Sequence, residues 1–295
     1  MTKNNGNISP EQIRLISKES LASFKTKDHK YSIETFPYFG YYSVNIFECP
    51  EFTMFTNNDC PRAVDILFHK SFEPMSIRIW SHLIMRSKTA FDIGAHVGIF
   101  SLVAAAVNKD IEIHAFEPNP DVFGRLQIHR NINNFKNIRL YRNAFAHKDG
   151  LTELNWIKKY DNGWLSSGST ILKGIPEDLT NHAVTKALKF DTFYKTRSIK
   201  KPFVIKIDIE GAEELLIDAM IDTLKDKPDI IIETFSKKAA HKLTNLAKGL
   251  GYSFFLIDEL EMKIHQLESL IACDPTKTNF NQILTTQPNA LNCFL

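Results

Sequence analysis

The chain of 295 residues is 43% hydrophobic and 24% charged, which is typical of soluble globular proteins and argues against fibrous or extensively disordered structure. Its length allows one large α/β domain, or a domain of about 200 residues with additional elements. The formal net charge of +2 gives no electrostatic reason to expect nucleic acid or an anionic membrane as a partner.

The four cysteines, Cys49, Cys60, Cys273 and Cys293, form no C-x-x-C pair and match no zinc-binding spacing. They are too few for a disulfide scaffold, and we expect free thiols in a reducing compartment. The longest apolar run, residues 99–107, is far shorter than the roughly 20 residues that span a bilayer. The polar first residues also lack the apolar core of a signal peptide. We therefore expect a cytoplasmic protein without a membrane span.

Residues 1–85 form a predicted N-terminal extension of helices and strands. The segment Ser9-Pro10-Glu11-Gln12 is typical of a helix start, and this helix is expected to run to about residue 25. Alternating aromatic and polar residues predict one or two strands within residues 31–50. Apolar side chains recur at helical spacing over residues 74–85 and predict a second helix there.

From Thr89 onward, short apolar runs alternate with helical patterns, which is typical of a parallel α/β sheet. We predict a doubly wound, mostly parallel, seven-stranded Rossmann-like sheet within a domain of residues 86–290. Residues 148–189 interrupt the pattern and are interpreted as a long irregular insertion. The predicted strands cover residues 89–92, 111–116, 138–142, 203–208, 229–233, 252–257 and 280–285.

Ligands of such sheets bind beyond the carboxyl ends of the strands, so the residues that follow each run are the candidate site. The first strand ends at Asp92, and Gly94 and Gly98 bracket a tight turn into the next helix. Glycine is expected there because a Cβ atom would strain the turn or block a ligand. A helix N-terminus also favours anions, so the turn alone indicates only that some ligand approaches.

The second strand ends with Glu117-Pro118. An acidic residue at this place in a doubly wound sheet accepts hydrogen bonds from ribose hydroxyls. A nicotinamide dinucleotide is the main alternative ligand, but its fingerprint requires G-x-G-x-x-G, whereas His96 occupies the position of the second glycine. Asp92 would also repel a pyrophosphate, and it would tolerate a cationic ligand. The charge therefore favours a nucleoside that carries a cation.

The fourth strand ends in the acidic segment Asp208-Ile209-Glu210-Gly211-Ala212-Glu213. Asp208 is expected to face the site. For Glu213 the favoured interpretation is a first-turn acid that interacts with the helix dipole.

These four stretches together resemble the FkbM family of methyltransferases. They are residues 90–98, Ala115-Phe116-Glu117-Pro118, Arg142-Asn143-Ala144 and residues 205–213, and the resemblance extends over roughly residues 73–285. The last stretch is the most specific, since the glycine loop and Glu-Pro are shared more widely. The resemblance implies a Rossmann-like fold, S-adenosylmethionine as the cofactor, and O-methylation of a hydroxyl, often on sugars or secondary metabolites.

The resemblance also implies roles for individual residues. Asp92, Gly94 and Gly98 would hold the methionine part of the cofactor, and Glu117 the ribose. Asp208 would lie near the sulfonium and its methyl group. Where this chain has His96, the family usually has asparagine. The rest of the predicted cofactor-binding set is Ala95, His96, Pro118, Asn143 and Ala144, of which the last two would lie near the adenine.

A hydroxyl acceptor benefits from a general base, and Asp208 and His96 are the predicted catalytic residues. Asp208 and Glu233 end neighbouring strands, but two carboxylates are not a full ligand set, so no metal is predicted. The predicted partner is a small molecule or glycan that carries the acceptor hydroxyl. The alternatives are a nicotinamide-dependent oxidoreductase and a non-catalytic binding module with a methyltransferase fold.

Overall fold

The computed structural model describes residues 38–46, 49–60, 66–67, 72–157, 169–171, 180–273 and 281–295. The helix predicted over residues 9–25 lies outside this range, as does part of the predicted insertion. None of the helices within the described range combines the length and the apolar character needed to cross a bilayer. All four cysteines are free.

Fourteen strands and seven α-helices are described, and we number them in chain order. The strands are β1 (Phe39–Val44), β2 (Phe52–Asn57), β3 (Thr89–Ile93), β4 (Glu112–Phe116), β5 (Ile138–Tyr141), β6 (Asn143–Phe145), β7 (Gly150–Ile157), β8 (Ser169–Thr170), β9 (Thr180–Leu188), β10 (Phe203–Ile207), β11 (Asp229–Glu233), β12 (Ser253–Asp258), β13 (Lys263–Leu267) and β14 (Asn281–Thr285). The helices are α1 (Pro74–Met85), α2 (Ile99–Val107), α3 (Pro120–Ile132), α4 (Phe190–Lys195), α5 (Glu213–Ala219), α6 (Ile221–Leu224) and α7 (Lys237–Gly249), and a 3₁₀ helix covers Pro288–Phe294.

The main sheet has the strand order β13-β12-β14-β11-β10-β3-β4-β5. Strands β5, β4, β3, β10 and β11 are parallel neighbours, and β14 lies antiparallel between β11 and β12. The chain thus forms the predicted doubly wound α/β fold, with the switch of direction between β3 and β10. The predicted number of seven strands is one too low, because β13 adds an edge strand. Only Ile264 of this strand is buried, so it carries no apolar run.

The central strands are buried on both faces, which explains their uninterrupted apolar sequence. Every residue of β3 and of β10 is buried. One face of the sheet lies in an apolar cluster that also contains Tyr42 of β1 and Trp80 of α1. The part of the predicted N-terminal extension that is described thus shares a core with the sheet. The domain boundary at residue 85 stays a prediction.

The segment interpreted as an irregular insertion is largely a second sheet. Strands β7 and β9 form a long antiparallel ladder, with β8 beside β7 and β6 beside β9. The prediction of irregular structure was therefore wrong for these residues. The apolar alternation is hidden because Leu151 and Val184 lie on the exposed face of the ladder. Trp164 and residues 163–168 lie outside the described range.

The N-terminus of helix α1 is capped from a distant part of the chain. The Glu259 carboxylate accepts hydrogen bonds from the backbone amides of Met75 at 2.7 Å and Ser76 at 3.1 Å. A carboxylate satisfies free amides there and interacts favourably with the helix dipole. This contact fixes α1, and the residues just before it, against the sheet.

The glycine loop after β3 lies in contact with the loop after β10. Gly94 has a positive φ of 81°, and a Cβ atom there would lie 1.7 Å from the carbonyl oxygen of Asp208. Gly98, with a φ of 96°, begins α2, and a Cβ atom there would lie 2.3 Å from Leu126. Both glycines are thus required by the protein's own packing. Packing is thus a second reason for glycine at these positions, besides the predicted one that a Cβ atom would block a ligand.

We expect Gly94→Ala to lower the free energy of unfolding by about 2–5 kcal/mol. The left-handed backbone costs an L-residue roughly 1–2 kcal/mol, and overpacking adds roughly 1–3 kcal/mol. Urea unfolding measures the change. Gly124→Ala is the matched control, since Gly124 lies within α3 and a Cβ atom added to it would have nothing within 4 Å. That change should stabilise the protein by about 1 kcal/mol. Equal stability of both variants would contradict the packing role of Gly94.

Candidate active site

A cavity of about 820 Å³ opens at the carboxyl ends of β3, β4, β10 and β11, where doubly wound sheets bind their ligands. Nine of the ten predicted cofactor-binding residues line it. Gly98 is the exception, because it lies behind the loop and faces Leu126. The nine are Asp92, Gly94, Ala95, His96, Glu117, Pro118, Asn143, Ala144 and Asp208.

The backbone amides of the glycine loop donate hydrogen bonds to other groups of the protein. Those of Gly94 and Ala95 donate to the Phe116 carbonyl oxygen at 3.0 and 2.9 Å, and that of Gly98 donates to Ala95 at 2.8 Å. The His96 amide donates to a Glu117 carboxylate oxygen at 3.0 Å. A pyrophosphate is usually held by a row of free amides at such a turn. These four amides are not available for that purpose.

Glu117 is held rigidly at the end of β4. Its second carboxylate oxygen accepts a hydrogen bond from the Asn119 amide at 2.8 Å, and Asn119 itself caps α3. The pKa of Glu117 is raised to about 7, mainly by burial and also by the charges of Asp92 and Asp208, and the hydrogen bonds from the two amides oppose the rise. Glu117 is therefore an oriented carboxylate whose charge depends on pH near neutrality.

His96 has a positive φ of 50°. Histidine and asparagine are both enriched in this left-handed region. The family's usual asparagine and this chain's histidine thus satisfy the same backbone requirement. The imidazole lines the cavity beside Glu117, and its predicted catalytic role stays a prediction.

Asp92 is buried below the cavity floor on β3. Its carboxylate accepts a hydrogen bond from the Ser101 hydroxyl on α2. The pKa of Asp92 is raised to about 6, mainly by burial and also by the charge of Asp208, while Ser101 and Lys206 oppose the rise. Together with Glu117 and Asp208, it gives the cavity an excess of negative charge.

Lys206 is the main site residue that sequence reasoning missed. It lies on β10 beside Asp92 of β3 in the strand register, and it is only 1% exposed. Its ammonium group lies 3.5 Å from an Asp208 carboxylate oxygen and 5.0 Å from the centroid of the Phe100 ring. The sequence does contain a feature that could have identified Lys206, because a single lysine interrupts the apolar strand Phe203–Ile207.

The charge of Lys206 is matched by carboxylates from four segments of the chain. Burial by itself would lower the pKa of Lys206, but Asp208, Glu233, Glu73 and Asp92 outweigh this effect and hold it above its usual value.

Glu73, just before α1, accepts a hydrogen bond from the Asn281 side chain at 2.8 Å. The N-terminal region thus contributes a wall of the cavity, which no sequence motif indicated.

Glu213 is a structural residue, in agreement with the favoured interpretation. Its buried carboxylate accepts hydrogen bonds from the amides of Gly211 at 2.8 Å and Phe235 at 3.5 Å. It thereby stabilises the loop that carries Asp208 and Glu210.

We expect Lys206→Met to destabilise the protein by about 3–5 kcal/mol at pH 8, because breaking a buried ion pair leaves uncompensated charge. The loss should be smaller at pH 5.5, since the carboxylates that lose their counter-charge can then take up protons. Urea unfolding at both pH values checks this. Lys242→Met is the control, because its pairs with Glu214 and Asp218 are partly exposed and should contribute at most about 1 kcal/mol. An equal loss for Lys206→Met at both pH values would contradict the ion network.

Comparison with known proteins identifies relatives of this chain. The chain is 22% identical over 143 residues to the hexuronic acid methyltransferase AglP of Haloferax volcanii, a match that covers 48% of this chain and 54% of the relative. The chain thus spans about half the length of the curated relative it matches. The solved structures that are similar to this chain include one from Agrobacterium tumefaciens and one from M. jannaschii. One is an S-adenosylmethionine-dependent methyltransferase from Agrobacterium tumefaciens, with a TM-score of 0.43, 10% identity, and coverage of 88% of this chain and 71% of that one. The other is TYW2 of M. jannaschii in complex with AdoMet, with a TM-score of 0.39, 13% identity, and coverage of 84% and 86%.

The sequence profile of the methyltransferase FkbM domain matches residues 92–264. This match begins at Asp92 and includes the glycine loop, Glu117 and the Asp208 segment. It covers more than half of the chain. The chain therefore belongs to the FkbM family of methyltransferases.

Proposed function

We propose that the protein uses S-adenosylmethionine to methylate a hydroxyl group of a sugar, glycan or secondary metabolite. The observation that carries this proposal is the single cavity that joins Glu117, Asp92 and Asp208 at the strand ends. Membership of the FkbM family supports the methyl transfer. The name of the curated relative, a hexuronic acid methyltransferase, supports a sugar-like acceptor.

The charge of the cavity fits the proposed cofactor. Asp208 raises the pKa of Asp92, and both residues raise the pKa of Glu117, so the cavity favours a cation over an anion. S-adenosylmethionine has two cationic groups and one carboxylate. A dinucleotide has a pyrophosphate, which would meet these carboxylates and a loop whose amides are already bonded. The cavity thus supports the sulfonium cofactor better than a nicotinamide dinucleotide.

Each part of the cofactor has proposed contacts. Glu117 would accept hydrogen bonds from the ribose, and Asn143 and Ala144 of β6 would lie along the adenine. Asp92 and the Gly94 loop would surround the methionine part. When bound, the cofactor supplies an electrophilic methyl group.

The residues of the chain must align an acceptor oxygen with that methyl group. Asp208 lies between the glycine loop and β11 and would face the positive charge. Its carboxylate pairs with the Lys206 ammonium group, which keeps it oriented. His96 lies nearer to Glu117 and, as a proposed catalytic residue, would have to reach the acceptor from that side.

The proposal is tested by binding and by transfer. Calorimetry should show binding of S-adenosylmethionine and S-adenosylhomocysteine and none of NAD. Label from methyl-tritiated S-adenosylmethionine should then pass to one or more members of a panel of methyl hexosides and hexuronic acids. Tighter binding of NAD than of S-adenosylhomocysteine would contradict the proposal. Cofactor binding without transfer to the panel or to a cell extract would favour a non-catalytic module.

We expect the affinity for S-adenosylhomocysteine to fall as the pH is lowered through 7. Ribose hydroxyls donate to the ionised form of Glu117, and its pKa in the free protein is about 7. The protonated fraction grows below that value, so the dissociation constant should be about tenfold higher at pH 6 than at pH 8. Titration calorimetry at several pH values measures this dependence.

Two variants control for other titrating groups. Glu117→Gln should bind weakly, and its dissociation constant should change far less with pH than that of the wild type. Glu153→Gln should behave as the wild type, because Glu153 lies exposed on β7. An affinity of the wild-type protein that is unchanged between pH 6 and pH 8 would argue against Glu117 as the ribose ligand.

A further inference from the structure

The cavity extends one strand beyond the residues expected to hold the cofactor. Glu117 follows β4, the glycine loop follows β3, and Asp208 follows β10. Glu233 ends β11, the next strand of the sheet. Three strand spacings of about 4.8 Å separate Glu117 from Glu233, or roughly 14 Å. If the nucleoside lies over β4 and the reacting methyl group near Asp208, the acceptor must approach from the side of Glu233.

Most carboxylates around the cavity already have a partner. Asp92 is bonded by Ser101, Glu117 by two backbone amides and Glu73 by Asn281. Asp208 pairs with the Lys206 ammonium group. A proton placed on Asp208 would remove the direct ion-pair partner of a buried lysine, which is costly. These four side chains are therefore poor recipients of a substrate proton.

Glu233 differs from them. Its side chain lines the cavity and is 8% exposed, and no other side chain in the described part of the chain is hydrogen-bonded to its carboxylate. Its backbone is fixed by pairing with Asn281 of β14. Glu233 is thus a carboxylate in a defined place that lines the cavity and keeps the capacity to accept a hydrogen bond from a hydroxyl group.

We propose that Glu233 accepts the proton of the acceptor hydroxyl during methyl transfer. In this step the acceptor O–H bond breaks as a new O–C bond forms to the methyl group, the electron pair of the methyl–sulfur bond stays on sulfur, and the proton goes to a Glu233 oxygen. No oxidant or reductant is required. The inference rests on the proposed function and assigns the role of general base to Glu233, which the sequence indicated only as part of an incomplete metal site.

The surroundings of Glu233 suit this role. The pKa of Glu233 is raised to about 8, mainly by burial and also by the charge of Asp208, and Lys206 opposes the rise. A base works best when its pKa lies near the working pH. Glu233 is therefore about half ionised at pH 8. Above that pH most of it is ionised and can take a proton, and below it most of it is protonated and cannot. The charged or titratable groups that face it are Asp208, Lys206, Glu73, Glu210 and Cys273.

The first test measures the ionisation of Glu233 directly. Infrared difference spectra of the wild type against Glu233→Gln isolate this carboxyl group from Asp92 and Glu117, which titrate at lower pH. A protonated-carboxyl band should disappear with a midpoint near pH 8. S-adenosylmethionine should move the midpoint to lower pH by at least about half a unit more than S-adenosylhomocysteine, since only the former has a positively charged sulfur. The absence of such a band, or equal midpoints with both ligands, would overturn the proposal.

The second test uses the pH dependence of transfer. In the wild type, kcat/KM should rise about tenfold per pH unit below the midpoint and level off above it. Glu233→Gln should lower kcat by about 10²–10⁴-fold and leave the affinity for S-adenosylhomocysteine nearly unchanged. Glu233→Asp should retain the pH profile at a reduced rate. This variant replaces Glu233→Gln in the test if the glutamine variant does not fold. Glu261→Gln, an exposed residue in the turn before β13, should match the wild type.

The outcomes separate the two proposals. If neither the wild type nor Glu261→Gln binds S-adenosylmethionine, the proposed function fails, and the role of Glu233 fails with it. If both bind it and Glu233→Gln transfers methyl groups at the wild-type rate with the wild-type pH profile, only the role of Glu233 is overturned.

Discussion

A buried positive charge in an apolar sheet requires negative charge close by, and Lys206 imposes this requirement on the whole site. Its ammonium group lies on a central strand with almost no contact to solvent. The carboxylates that balance it come from β3, the loop after β10, the end of β11 and the segment before α1. The positions of these acidic side chains are therefore coupled to one another through a single cation. The same arrangement leaves a net negative charge in the cavity, which suits a cationic cofactor.

The glycine loop contributes to the site mainly through its backbone conformation and packing. Its amides bond to Phe116, Glu117 and the loop itself, and Gly94 leaves room for the Asp208 carbonyl oxygen. The loop thereby joins the ends of three strands before any ligand arrives. Preorganisation of this kind lowers the entropy that binding must overcome.

Much of the fold could be predicted from the sequence, because buried parallel strands and amphipathic helices leave clear periodic patterns. Helix α1 lies where its pattern indicates. The second sheet was missed because its exposed face carries Leu151 and Val184, which obscures the alternation. The edge strand β13 was missed because it is mainly polar.

The proposed cofactor end of the cavity was also more predictable than the proposed acceptor end. The residues near Asp92 and Glu117 belong to short contiguous motifs, and their neighbours in sequence are their neighbours in space. The acceptor end is assembled from Glu73, Lys206 and Glu233, which are far apart along the chain. No local spacing relates them. The pairing of β10 with β11 brings Lys206 and Glu233 together, and contacts of α1 and the residue before it with β12 and β14 bring Glu73 to them.

The long-range cap on α1 has a consequence for the order of assembly. Amides at the start of the helix are satisfied by Glu259, and Glu73 is bonded by Asn281. Synthesis on the ribosome makes the helix long before either partner emerges. The strands that hold the cofactor loop can pair earlier, whereas the wall formed by the N-terminal segment has to wait for the last strand. The part of the cavity built on β3 and β4 can therefore form before the wall that contains Glu73.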